Sequence, residues 1–120
     1  MGPKPLYAVA VCLILLGVAG IALGADQGHD DPLNVAASCL GNSATVSWSA
    51  VSDNHLSGYD VYRKTSGETQ FTRVNPSIVT ATVYVVTGLS SGTTYNFAVM
   101  SMFNDGHTSA LSVPATCTTT

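Results

Sequence analysis

From Leu33 onward the sequence predicts an all-β fold class, and three observations carry that prediction. Apolar and polar residues alternate at period two, as Ala44, Val46 and Trp48 do against Thr45, Ser47 and Ser49. Clusters of Gly, Asn, Asp and Ser separate these runs, as turns between strands require. No 3.6-residue apolar period is sustained beyond Leu33, so a helical domain is excluded. The 120 residues leave room for one small domain and no more.

Ahead of that domain lies a segment of another kind. Lys4 precedes an uncharged run from Pro5 to Gly24, rich in Leu, Val and Ile, with small residues at Ala22 and Gly24 before Ala25. This order predicts an N-terminal hydrophobic helix that serves as a secretory signal peptide over residues 1–24, cleaved after Gly24. An uncleaved anchor is the alternative, because the run reaches the ~20 residues that span a bilayer. Residues 25–31 are polar and lead into Pro32, so they read as a tether, with the folded domain over 32–120.

The strands follow in order. Ala44, Val46 and Trp48 share the core face of one strand, and Tyr59 and Val61 face the core from another, with Asp60 and Tyr62 on its outer side. The Ser66-Gly67 turn precedes a short strand from Phe71 to Val74. Tyr84 and Val86 line up next. Tyr95, Phe97, Val99 and Ser101 share one face of a longer strand that ends in the turn Asn104-Asp105-Gly106. A last strand is expected from Ala110 to about Thr118.

Several stretches carry a resemblance to a known family. Trp48 resembles a core tryptophan on the second strand, and Leu56 to Arg63 resembles the third strand. Thr82 to Val99 resembles the fifth strand, the following corner and the sixth strand, with Ser91 where proline is usual. Gly106 to Ser112 resembles the final turn and last strand. Together these are similar to a fibronectin type III domain, from Pro32 to Cys117. The resemblance implies a seven-stranded immunoglobulin-like sandwich with Trp48, Tyr59, Val61, Tyr84, Val86, Tyr95, Phe97 and Val99 between the sheets. It also implies that Tyr95 buries its ring over Leu89 and returns its hydroxyl to nearby backbone.

Cysteine arithmetic adds a bridge that the family does not usually have. Cys12 leaves with a cleaved signal, and Cys39 and Cys117 remain in an oxidising compartment. In such a sandwich the first strand descends to the pole where the last strand finishes, so a Cys39–Cys117 disulfide is expected.

Signals for chemistry are few. Gly88-Leu89-Ser90-Ser91-Gly92 satisfies the Gly-x-Ser-x-Gly pattern, but that motif needs a strand-to-helix elbow, whereas this turn joins two strands. No enzyme is expected. His29, His55 and His107 fall in the tether and two loops, beside Asp53 and Asp105. None has metal-ligand spacing, so no metal is expected. Asp53, His55, Asp105 and His107 lie in loops that share one pole of the sandwich, which makes them candidate loop contacts. No phosphate-binding or haem-attachment motif occurs, and no cofactor is expected.

Partners are bounded in the same way. Without Lys4, three Lys and Arg face seven Asp and Glu, and Arg63-Lys64 is the one adjacent basic pair. Nucleic acid is therefore not a partner, and a membrane is one only if residues 1–24 are retained. Tyr62, Ala98, Met100 and Met102 point outward on the sheet and form a candidate contact face, since Tyr and Met suit interfaces. The function expected is a secreted or cell-surface binding and spacing module with an unknown protein or surface ligand. The alternative is a self-associating subunit of an extracellular fibre or coat, held by the apolar N-terminal segment.

Overall fold

A computed structural model describes residues 29–120, so the signal-peptide or anchor reading of residues 1–24 lies outside the described residues. The described residues form seven strands: β1 (Ala36–Leu40), β2 (Ser43–Ser47), β3 (Leu56–Thr65), β4 (Thr72–Arg73), β5 (Val83–Val86), β6 (Thr94–Phe103) and β7 (Ala115–Thr118). They build two antiparallel sheets, β1-β2-β5 and β4-β3-β6-β7. This is the all-β fold that the alternation implied and the immunoglobulin-like sandwich that the resemblance implied. The core between the sheets holds Val46, Trp48, Tyr59, Val61, Val86, Leu89, Tyr95, Phe97 and Val99. Trp48 meets Tyr59 edge-on at 5.2 Å, a favourable arrangement for two large rings. Tyr84 is partly buried against that core.

The register fixes which loops share an end. Leu56 lies opposite Phe103, and Ala36 opposite Ser47, so chain entry, the β2–β3 loop and the β6–β7 loop share the upper pole. Ala44 lies opposite Val86 and Thr94 opposite Thr118, which puts the β1–β2 turn, the β5–β6 corner and the end of β7 at the lower pole. At that corner the Tyr95 hydroxyl accepts the Ser90 backbone N–H at 2.8 Å, above buried Leu89. Cys39 and Cys117 form the expected disulfide, with Cα atoms 5.7 Å apart, and join the edge strands of the two sheets. The Gly88–Gly92 run is this strand-to-strand corner, not a nucleophile elbow.

Three expectations are corrected by side chains that take over backbone hydrogen bonds. The last strand begins at Ala115 rather than Ala110. Ser109 and Ser112 accept the Ser101 and Val99 N–H groups through their hydroxyls, and Pro114 has no N–H to contribute, so the ladder resumes only beyond it. The strand expected from Phe71 to Val74 is reduced to Thr72–Arg73, because Asn75 Oδ1 accepts the next rung from the Val61 N–H. Asn75 also donates to Asp60 Oδ1 at 2.8 Å. Asp60 is consequently buried, although alternation put it outside.

Gly58 is required where β3 bends at a register shift. A Cβ there would stand 2.6 Å from the Val79 carbonyl oxygen, a backbone atom bound to the Tyr59 N–H.

Candidate functional site

The upper pole collects the polar side chains that the fold does not use. Two loops present the same local device. Asp53 Oδ1 accepts the His55 backbone N–H at 2.8 Å, and Asp105 Oδ1 accepts the His107 backbone N–H at 3.0 Å. Each Asp thus closes a turn on the residue two places ahead, and each following His ring returns to its own Asp, at 3.5 Å for His55 and 3.2 Å for His107.

His29 sits between the two loops. Its Nδ1 lies 3.1 Å from Asp53 Oδ2 and its Nε2 lies 3.0 Å from Asp105 Oδ2. The ring stacks on Phe103 at 4.0 Å, with His107 tilted beside it at 5.7 Å. Only 14% of the His29 side chain and 16% of Asp53 are exposed, against 60% for His107, so His29 and Asp53 are the enclosed members of the cluster. His29, read from the sequence as part of the tether, makes these contacts three residues ahead of Pro32. Of the predicted loop contacts, Asp53, Asp105 and His107 converge on His29, while His55 reaches only Asp53.

The electrostatics follow from these contacts. Hydrogen bonding to Asp53, then to Asp105, raises the His29 pKa above its ordinary value, against partial desolvation. Two carboxylates facing the two ring nitrogens favour the charged form of His29 over the neutral one. The His55 backbone N–H and then His29 lower the Asp53 pKa. Asp105 is lowered to about 2, first by the His107 backbone N–H and further by the His107 and His29 rings.

The candidate contact face is narrower than alternation implied. Ala98 lies opposite Tyr62 in the β3–β6 ladder but is fully buried, so its methyl is not available to a partner. Tyr62, Met100 and Met102 are half-buried on that side of the sheet.

The sequence profile described as Fibronectin type III domain matches residues 30–118. The chain belongs to the fibronectin type III family. A fibronectin type III fold is also what the solved structures show. An Fn3-like protein from Clostridium thermocellum superposes with a TM-score of 0.64 at 26% identity, over 75% of this chain and 92% of that one. Titin module A71 from human cardiac muscle superposes with a TM-score of 0.65 at 19% identity, over 74% of this chain and 89% of that one. Among curated relatives, Exoglucanase B of Cellulomonas fimi is 36% identical over 92 residues, which is 73% of this chain and 8% of that protein. Chitinase A1 of Niallia circulans is 35% identical over 80 residues, 66% of this chain and 10% of that protein. The chain thus matches one module-sized portion of much longer enzymes.

Proposed function

We propose that this fibronectin type III module is a non-catalytic extracellular spacer that also presents a contact face. One observation carries the reading: the domain is entered at the upper pole, where His29 docks, and left at the lower pole. There the Thr120 backbone N–H donates to the Gly41 carbonyl, and Thr119 is tied to Thr93 and Ser90. Opposed ends let a module hold its neighbours apart without folding back on itself. The Cys39–Cys117 bridge supports an oxidising setting outside the cytoplasm. The relatives support the same role, since they are named for action on glucans and chitin while only 8% to 10% of their length corresponds to this module. Tyr62, Met100 and Met102 are the residues we assign to contact with a protein or surface ligand.

The test combines intact mass with sedimentation velocity on protein recovered from medium and membrane fractions. A soluble monomer starting at Ala25, which takes up two alkyl groups only after reduction, is the expected result. A full-length membrane species that assembles with rising concentration would replace the spacer by the fibre-subunit reading. Exposed Val83 and Val85 on the edge strand β5 are where such assembly would begin. Pull-down of an extracellular partner by the wild type, retained in full by a Met100→Ser/Met102→Ser variant, would remove the contact-face assignment.

A further inference from the structure

We propose that His29, Asp105 and His107 form a binding site for one divalent transition-metal ion of the zinc type at the upper pole. One ligand atom from each of these side chains lies within 4.8 Å of the other two. A tetrahedral zinc ion with bonds near 2 Å holds its ligands roughly 3.3 Å apart. His29 Nε2 lies 3.0 Å from Asp105 Oδ2, close to that spacing, and His107 Nδ1 lies 3.2 Å from Oδ1, the other oxygen of the same carboxylate. Two imidazoles with one carboxylate suit zinc and its neighbours, whereas calcium and magnesium take oxygen ligands throughout.

The surroundings favour a ligand role for His29 in particular. Asp53 holds its Nδ1 at 3.1 Å, and Phe103 fixes the ring plane by stacking at 4.0 Å, which leaves Nε2 aimed at Asp105. An outer carboxylate on the far nitrogen of a metal-ligating histidine is the usual way such a ring is oriented and made more basic. The three ligands come from chain entry and from one loop 76 residues later, so no local spacing announces them. A bound ion would tie the entering chain to the β6–β7 loop. Three protein ligands leave a fourth position for water or for a donor atom of another molecule. Asp105 and His107 are exposed, so that position opens to solvent.

Calorimetric titration of the tag-free, chelator-stripped native protein with zinc chloride tests the proposal, with NMR of the imidazole nitrogens in parallel. One ion per chain is expected, with His29 and His107 shifting and His55 unmoved. Asp105→Asn keeps an oxygen for the His107 backbone N–H, so the turn survives, yet zinc affinity should fall at least about tenfold. His29→Ala, ahead of every strand, should do the same without loss of fold. Asp53→Asn should weaken binding by about tenfold through the orientation of His29. His55→Ala should leave it unchanged. Absence of saturable binding, calcium bound as tightly as zinc, or affinity insensitive to His29→Ala and Asp105→Asn would each overturn the site.

Discussion

Removing the disulfide with Cys39→Ala/Cys117→Ala should cost this domain a large part of its stability. The bridge joins residues 78 apart. Closing a loop of that length restricts the unfolded chain by about 4 kcal/mol on the loop-entropy account. A small domain has only about 5–15 kcal/mol in total. For a domain of this size each kcal/mol moves Tm by about 4–8 °C, so Tm should fall by roughly 15–30 °C. Urea unfolding followed by fluorescence is the assay, because the single tryptophan, Trp48, is buried between the sheets and reports the whole core. The account also fixes a second observable. If the bridge acts by compacting the unfolded chain, the variant exposes more surface on unfolding and its m value rises. A loss below about 1 kcal/mol with an unchanged m value would refute the reasoning and leave the bridge as a packing contact of two half-buried sulfurs.

Three further predictions use the same domain. Tyr95→Phe strands the Ser90 N–H beneath the corner and should cost about 1–2 kcal/mol in urea unfolding; a variant as stable as the wild type would show that the hydroxyl is not needed. Gly58→Ala drives a Cβ against the Val79 carbonyl and should cost about 1–3 kcal/mol, with slowed-exchange protection of the Tyr59 and Val79 amides lost first. Glu68 accepts the Thr65 backbone N–H at 2.7 Å, which lowers its pKa below the ordinary glutamate value of 4.5. Its contribution to the β3–β4 turn is therefore present above 4.5 and lost as pH falls through the folded value. The Thr65 amide shift should titrate with a midpoint below 4.5, and a midpoint at or above it would contradict the contact.

Much of the fold was legible because one face of each long strand is buried and period two has only one register that buries it. Tyr95, Phe97 and Val99 on β6, and Tyr84 with Val86 on β5, show this directly. What alternation could not show is where a side chain replaces a backbone partner. Asn75 and Ser109 read as ordinary loop residues and Ser112 as part of the last strand, yet each takes over a rung and moves a strand boundary. The upper pole was half legible. That Asp53, His55, Asp105 and His107 sit in loops of one pole followed from topology, but His29 was assigned to a tether. A signal for it was present in the matching Asp53-Asn54-His55 and Asp105-Gly106-His107 spacing, which places two carboxylates to face one donor group. Nothing local indicated that the residue between them would be His29, because its contacts form only once the loops are brought together in space.

The placement of the bridge has a mechanical consequence. Tension applied to the chain on either side of the domain enters along β1, crosses the sulfur–sulfur bond from Cys39 to Cys117 and leaves through Thr120, without passing through β2 to β6. Only residues 32–39 and 117–120 lie on that load path, and fully extended they reach about 40 Å. An unbridged stretch from Pro32 to Thr120 would yield about 300 Å. The bridged path is little longer than one of the ten-residue strands, at about 33 Å. Even when force pulls the sheets apart, the domain therefore lengthens hardly at all, and it behaves as an inextensible strut until the bond is reduced.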